Sequence, residues 1–433
     1  MKAPTAALLA LALVFTVLVP LHSDLAAWTW SWWLLASLSC WGWARQPATD
    51  SFPVAGSSAT RAGPLGWPLI GPAAVALLVA CLIGLAMGTW HEEGWRGMRQ
   101  DGKVLMVLPM VGVLSGLLLD SRIPGSSVPA WREQLGWALG LQLAVAAAVA
   151  LLWPRAQLPA TAIPWATAVA LTMAVLGPLV LIRDGVHPDS RAWRIGLTLA
   201  LLAGATAVVW SRSRAAWVVL PWLMLVAVAL AQRPARAVLW SLVVAVLAGG
   251  TGVLYDSLQP PQVERGLRLL DLLQELGQLG TPDGASSLGS RVVLWQTAWD
   301  SLWQHPLTGI GVSQRIALVQ AVIPPEALPD VAPLVHVHQQ FLNQAVDHGL
   351  PGLLAAVLSA AAPWALAWRA GPGLMRWQCM GIGTVHGTGL LFNANMTHGT
   401  YAFNLGLCLM AVLLIRAESE QQARGAGTPA GLR

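Results

Sequence analysis

The chain has 433 residues, of which 56% are hydrophobic and 10% are charged, and its formal net charge is +5. Soluble domains carry about 25% charged residues, so this composition excludes a soluble globular protein and favours an all-α integral membrane protein. The basic residues are dispersed, with no run of five or more Lys or Arg, which argues against a nucleic-acid partner. The 24 tryptophans, many at the ends of apolar runs, are typical of side chains at a membrane–water interface.

The four cysteines all lie inside apolar runs or at their ends, at Cys40, Cys81, Cys379 and Cys408. Because none occupies a polar loop, the sequence predicts neither a disulfide framework nor a cysteine-based zinc site. We interpret them as small buried apolar residues.

Twelve apolar runs are long enough to predict membrane-spanning helices, which need roughly 20 residues. They lie near 4–21, 25–44, 67–89, 103–120, 131–153, 162–182, 192–210, 215–231, 236–254, 352–369, 374–393 and 400–416. The first run could serve as a signal peptide, but a second run follows almost at once. We therefore interpret the first run as a retained helix.

Twelve spans place both termini on one side of the membrane, and the distribution of Lys and Arg favours the cytoplasm for that side. The predicted organisation is spans 1 to 9 over residues 1–255, a large loop over 256–351, and spans 10 to 12 with a cytoplasmic tail over 352–433. The large loop then faces outward, which is the periplasm in a Gram-negative cell.

The large loop shows helical periodicity in three places. Apolar residues at helical spacing predict a helix over 262–279, and a second helix is predicted from Arg291 to about Trp303. A third is predicted after Pro333, with His338 on one of its faces. We therefore expect a helical loop that folds onto the membrane surface.

Two arginines of this loop are candidates for binding an anion. Arg268 has Glu264 and Asp271 within helical salt-bridge reach, so a solvated ion pair explains it. Arg265 has no acidic neighbour at helical spacing, and Arg291 lies at a predicted helix N-terminus, where the macrodipole disfavours a cation. Guanidinium groups suit phosphate oxygens, so both are predicted to bind an anion. The alternative is pairing with a distant carboxylate.

A second basic group precedes the eighth predicted span, where SRSRAAW carries Arg212 and Arg214. Arginines at a membrane boundary often extend to the interface without a functional role. The functional alternative is a second contact to the same anion.

His338, in HVHQQFLNQAVDHG, is a candidate general base because histidine titrates near neutral pH. The alternative is a packed histidine without a chemical role. A zinc site made of His336, His338 and His348 lacks both a recognisable spacing and a carboxylate or cysteine partner.

Several common catalytic motifs are missing from the sequence. There is no D-x-D, no Walker sequence and no serine nucleophile elbow. Arginines with one histidine and no metal suit a diphosphate leaving group, whose developing charge the guanidinium groups would stabilise. No carboxylate is placed for a covalent glycosyl intermediate, which favours an inverting single displacement for glycosyl transfer.

Four motifs resemble those of the O-antigen ligase and polymerase superfamily of bacterial envelope glycosyltransferases. They are SRAAW at 213–217, RGLRL at 265–269, SRVVLW…HPLTGIG at 290–311, and His338 followed by ten residues and GLPG at 349–352. The twelve-span layout with one large outer loop is similar as well.

The resemblance implies an all-helical membrane glycosyltransferase of the C type. It implies a donor glycan on undecaprenyl pyrophosphate and, for a ligase, transfer to the lipid A–core oligosaccharide at the periplasmic face without metal, ATP or other cofactor. The functional residues it implies are Arg214, Arg265, Arg291 and His338. The doubled arginine of SRSRAAW makes Arg212 an alternative to Arg214, and Arg191 is a further alternative if the span count before it is wrong.

Three functions are compatible with these observations. The favoured one is an O-antigen ligase of the bacterial inner membrane. An O-antigen polymerase would use the same donor with another lipid-linked glycan as acceptor. A transporter of a lipid-linked anion is the alternative from another class, but the predicted spans are nearly free of charge and show no repeat.

Overall fold

The computed structural model describes residues 3–22, 67–91, 131–153, 161–182, 190–231, 287–323 and 334–425, together with single residues and short pieces in 25–36, at 158 and in 234–242. Within these ranges every regular element is a helix. The predicted all-helical class is confirmed, and the helix lengths and apolar composition are those of a membrane-embedded protein.

We number the α-helices of the described ranges in chain order. They are α1 Ala3–Leu18, α2 Trp67–Trp90, α3 Trp131–Leu152, α4 Ala162–Leu181, α5 Arg191–Trp210, α6 Val219–Ala229, α7 Ser287–Gln304, α8 Val312–Val322, α9 Gln340–Arg369, α10 Leu374–Phe392 and α11 Gly399–Gly425. Short 3-10 helices occupy Val19–Leu21, Arg214–Val218 and Asn395–Thr397.

Six helices of the described ranges are long and apolar enough to cross a membrane. They contain Gly71–Trp90, Trp131–Leu152, Ala162–Leu181, Arg191–Trp210, Gln340–Arg369 and Gly399–Glu420. Each overlaps one of the twelve predicted spans, while the run 103–120 lies outside the described residues. The count of twelve therefore stays a prediction.

Helices α3 and α5 approach closely because α3 presents glycines to α5. A Cβ on Gly136 would lie 3.2 Å from the Trp193 ring, and one on Gly140 would lie 3.3 Å from Leu197. Small residues four apart allow such close packing between helices that have no hydrophobic driving force in lipid.

Uncharged polar groups connect α3, α4 and α11 inside the bundle. Gln142 donates to the Asn404 Oδ1 at 3.0 Å and accepts from the Thr172 hydroxyl at 2.9 Å. The Asn404 amide also donates to the carbonyl of Ala168 at 2.6 Å. Each of these buried polar groups has a hydrogen-bond partner, so the network joins helices without burying a charge.

The bundle has two chemically different ends. At one end α3 begins and α11 ends, and the Arg132 N–H donates to the Glu418 Oε2 at 2.7 Å while its guanidinium lies 5.5 Å from the centre of the Trp193 ring. Trp193 belongs to the first turn of α5, so Arg191 lies at this end too. The other end, where α5 and α10 finish and α4, α9 and α11 begin, is called the site end below.

Helix α9 is bent where its sequence reads DHGLPG. His348 and Gly349 leave the helical conformation, and Gly349 has φ 66°. Pro351 then lies in the first turn after the bend, where its missing N–H removes no hydrogen bond. The predicted start of the tenth span, residue 352, falls just beyond this bend, so the loop boundary at 351 lies inside the helix.

The structure corrects two predicted loop helices, while the predicted helix over 262–279 lies outside the described residues. Helix α7 begins at Ser287, so Arg291 occupies its second turn and not its N-terminus. Helix α9 begins at Gln340, so His338 precedes it, and its φ of 53° is not helical. The Gln339 side chain caps the new helix by accepting from the Leu342 N–H at 2.7 Å, and this cap fixes the later start.

Candidate active site

Several helix ends meet at the site end and bring distant parts of the sequence together. The Thr161 hydroxyl, before α4, lies 3.1 Å from the His398 Nδ1, before α11. The Met396 N–H donates to the Gln340 Oε1 at 3.0 Å, which joins the segment 393–398 to the start of α9. These bonds gather polar side chains at the end of an otherwise apolar bundle.

The segment before α9, residues 334–339, carries two histidines and is held from three sides. The Trp295 indole of α7 donates to the carbonyl of Val337 at 3.0 Å. The Val337 N–H faces the Asn343 Oδ1 at 3.4 Å, and the Arg315 guanidinium donates to the carbonyl of Val335 at 2.7 Å. The backbone around His338 is therefore fixed by contacts from α7, α8 and α9.

The centre of this support is a buried ion pair. Arg315 is 1% exposed and donates through Nε to the Asp347 Oδ1 at 2.7 Å and through Nη1 to the Asn343 Oδ1 at 2.7 Å. The Asn343 amide in turn donates to the Asp347 Oδ2 at 3.3 Å. Buried charges are tolerated when they are paired and hydrogen-bonded in this way, so Arg315 has a structural role.

The HPLTGIG motif lies against the bend of α9 through backbone contacts. The N–H groups of Ile310 and Gly311 donate to the carbonyls of Val346 and Asp347 at 2.8 and 3.0 Å. Gly309 has φ 66°, and a Cβ there would lie 2.5 Å from the Asp347 carbonyl. Gly349 approaches the HPLTGIG motif equally closely, because a Cβ on Gly349 would lie 2.5 Å from the Pro306 carbonyl oxygen. Both glycines are required by this close approach.

His338 is the centre of the site. Its Nδ1 lies 3.1 Å from the Asn393 Oδ1, at the C-terminal cap of α10. The pKa of His338 is lowered from 6.5 to about 4, first because the ring is withdrawn from water and then because of the positive charge of Arg291, while the Asn393 hydrogen bond acts in the opposite direction. At neutral pH the imidazole is therefore uncharged and can accept a proton.

The pairing of His338 with Arg291 gives the site two chemical abilities. A neutral imidazole can act as a general base, and a neighbouring guanidinium can bind a phosphate oxygen. Arg291, on α7, is only partly buried, and its charge acts on His338. The two side chains come from positions 47 residues apart in sequence, and the fold brings them within electrostatic reach.

Two further histidines surround His338. The His336 ring lies 4.5 Å from that of His338 and 5.9 Å from that of His398, measured between ring centres. The pKa of His336 is lowered well below its usual value, mainly by burial and then by electrostatic coupling to His338, His398 and Arg315. His348 lies elsewhere and stacks on His91 at 6.2 Å, so the imagined site of His336, His338 and His348 does not form.

Arg212 and Arg214 also lie at the site end, directly after α5. Arg212 has φ 56°, in a turn where the Ser211 hydroxyl donates to the carbonyl of Val208 at 2.7 Å and accepts from the Ser213 N–H at 3.2 Å. Arg214 begins the 3-10 helix Arg214–Val218, which packs against α10. Both predicted arginines thus share an end of the bundle with His338, in the candidate role of anion ligands.

The remaining predicted arginines have different positions. Arg265 lies outside the described residues. Arg191 begins α5, and Arg212 follows the end of the same 20-residue helix. A helix of that length spans about 30 Å, so Arg191 is at the opposite end of the bundle and cannot replace Arg214 in the site.

Sequence reasoning missed Asn393, Asn343, Asp347 and His398. The signal for two of them was present, because NANMTH at 393–398 is a polar interruption between two predicted spans, and polar residues at span ends can serve a site. Asn343 and Asp347 lie four residues apart near the start of α9 and share one face of it, but their partner Arg315 could not be read from local spacing.

One segment of the chain matches a known protein family. Residues 199–357 match the family model described as O-antigen ligase. The matched segment spans a little more than a third of the chain and includes all five predicted site residues, Arg212, Arg214, Arg265, Arg291 and His338. No curated protein matched the chain.

The family match confirms the resemblance that the motifs carried. The matched segment also contains the helices that hold the backbone around His338, from α7 through the bend of α9. Asn393 and His398 lie beyond it, so the site combines the matched segment with the two helices that follow.

Proposed function

We propose that this chain is an O-antigen ligase that transfers a glycan from undecaprenyl pyrophosphate to a sugar hydroxyl of the lipid A–core oligosaccharide. The carrying observation is that the segment matching the O-antigen ligase family model contains both His338 and Arg291, which the fold brings within electrostatic reach at one end of a membrane-embedded bundle. In this proposal the site end and the segment 256–351 face the periplasm of the bacterial inner membrane. Its partners in this proposal are the lipid-linked donor, the lipid A–core acceptor and the surrounding membrane lipids.

The proposed reaction is a single displacement. The acceptor hydroxyl oxygen forms a bond to the anomeric carbon, and the bond from that carbon to the diphosphate oxygen breaks. The electron pair leaves with undecaprenyl pyrophosphate, and the hydroxyl proton moves to the imidazole of His338. Attack from the face opposite the leaving group inverts the anomeric centre.

The arginines stabilise the charge that develops on the leaving diphosphate. Arg291 is the anion ligand whose charge acts on the base, while Arg212, Arg214 and Arg265 complete the anion contacts in this proposal. Guanidinium groups bind phosphate oxygens through paired N–H donors, so the reaction is expected to proceed without a divalent metal, ATP or another cofactor. The proposal is tested by chelation as well as by mutation.

The test is reconstitution of the purified full chain in detergent with undecaprenyl-pyrophosphate-linked glycan and lipid A–core, in the presence of EDTA and without ATP. A ladder of glycan on lipid A–core is the expected result. Longer lipid-linked chains without a ladder would assign the chain to polymerisation. Absence of both products with competent substrates would overturn glycosyl transfer.

A further inference from the structure

We propose that Asn393 is a positioning residue that holds the proton of neutral His338 on Nδ1 and so directs the lone pair of Nε2 to the acceptor hydroxyl. This inference rests on the proposed base role of His338 and assigns a function to a residue outside the matched segment.

Asn393 is held at both its backbone and its side chain. It caps α10 through its N–H, which donates to the carbonyl of Gly389 at 3.1 Å, and it is 2% exposed. Its Nδ2 donates to the Asn395 Oδ1 at 2.8 Å. In this orientation the amide oxygen faces His338.

An amide oxygen can only accept a hydrogen bond, so the His338 Nδ1 at 3.1 Å must be the donor. A neutral imidazole carries a single N–H, and the other ring nitrogen then has the free lone pair. Asn393 thereby selects the tautomer in which Nε2 is the proton acceptor.

The Asn393 contact is fixed relative to the His338 backbone. The Met396 N–H donates to the Gln340 Oε1 at 3.0 Å, two residues after His338, so the segment 393–398 and the start of α9 are tied together. His338 itself has φ 53°, a left-handed conformation that is unfavourable for a non-glycine residue and persists where the surroundings determine it. The position of the ring is thus set before substrate binds.

The charged and titratable groups around His338 come from several elements. Arg291 of α7 acts on it directly, and the His336 ring is 4.5 Å away in the same segment. His398, before α11, and Arg315 of α8 act on His336. The positive charge of Arg291 disfavours the imidazolium form of His338, and Asn393 supplies an uncharged hydrogen-bond acceptor. A carboxylate at position 393 would reverse this balance and favour the imidazolium.

The experiment compares Asn393→Leu and Asn393→Asp with the wild type in the reconstituted transfer assay from pH 3.5 to pH 9. We expect Asn393→Leu to lower kcat on the order of 10²-fold with KM changed by less than about threefold, because ring orientation is lost and not substrate binding. We expect Asn393→Asp to retain more activity than the leucine variant and to shift the acid limb of the profile upward by about one pH unit or more.

The matched control is Asn404→Leu, which removes another buried asparagine, 1% exposed, that holds α4 and not His338. It is expected to lower the thermal stability without moving the acid limb. An Asn393→Leu variant with the wild-type kcat, or an Asn393→Asp variant with an unshifted acid limb, would overturn the inference.

A second readout separates this inference from the proposed function. In protein labelled with ¹⁵N-histidine, the signal assigned to His338 by its loss in His338→Gln is expected to show a protonated Nδ1 in the wild type and not in Asn393→Leu. A wild type that forms no product but shows this tautomer would reject the proposed function and keep the role of Asn393. A protonated Nε2 in the wild type would reject the role of Asn393.

Discussion

Arg315 and Arg291 belong to adjacent helices of the matched segment, yet their surroundings differ. Arg315 is 1% exposed, and its charge is neutralised by Asp347 at 2.7 Å. Arg291 is partly exposed in the second turn of α7, and its charge acts on the neutral His338. The difference teaches that the first arginine holds the backbone of the site, whereas the second acts on the group that would carry the chemistry.

The same division applies to the histidines of this region. His338 is held by a neutral acceptor next to Arg291, while His348 packs on His91 at the bend of α9. One histidine faces a site with a cation, and the other supports a bend. Mutations should therefore separate loss of activity from loss of stability along this stretch of the chain.

The largest effect is expected for His338→Ala. Removing a general base lowers the rate by roughly 10²–10⁴-fold, and the protein level and thermal unfolding should stay near those of the wild type. Product formation per folded protein in the reconstituted assay gives the measurement. His305→Ala is the matched control, because His305 is exposed and its described hydrogen bonds are backbone bonds. Full turnover by His338→Ala would show that His338 is not the general base.

Arg315→Met should act on stability. It leaves Asp347 as a buried charge without its partner, which costs about 3–5 kcal/mol. Thermal unfolding in detergent should show a clear decrease in Tm, and the double variant Arg315→Met/Asp347→Leu should recover part of it because no charge remains buried. A single variant with wild-type Tm but no activity would contradict the structural role and erase the contrast with Arg291.

Arg291→Ala should act on the rate. Loss of one preorganised group that stabilises developing charge lowers kcat by about 10²–10³-fold, and Tm should stay unchanged. Arg291→Lys should recover only part of the rate, since an ammonium keeps the charge but not the paired donors. Arg236→Ala, at an exposed position, is the control. A lower Tm with an unchanged rate per folded protein would mean that Arg291, like Arg315, has a structural role.

The smallest effect is the pH dependence of the wild type. The pKa of His338 is lowered to about 4, so the ring stays neutral, and competent as a base, from neutral pH down to about pH 5. Below about pH 4 the imidazolium forms and cannot accept a proton, so the rate should fall about tenfold per pH unit. The initial rate measured in steps from pH 7 to pH 3.5 tests this. An acid limb of the pH–rate profile with its midpoint near pH 6.5 would mean that neither burial nor Arg291 lowers the pKa of His338.

The membrane helices could be read from the sequence because a span of about 20 apolar residues is a local property. The predicted run 131–153 corresponds to Trp131–Leu152, and 162–182 corresponds to Ala162–Leu181. His338 and Arg291 could be proposed as candidates because their residue types limit their chemistry. The predicted helix through His338 was wrong, because periodicity did not reveal the Gln339 cap or the left-handed backbone that precedes it.

The sequence by itself determined the class of the protein, most of its described helices and the residue types of its candidate site. Tertiary structure decided that Arg315 forms a buried ion pair, because Arg315 and Asp347 lie 32 residues apart and pair only after α8 packs on α9. It also decided the partner of His338, since Asn393 is 55 residues away and reaches the ring from the end of α10. Charge neutralisation and tautomer selection depend on distances between helices, and local sequence patterns do not encode those distances.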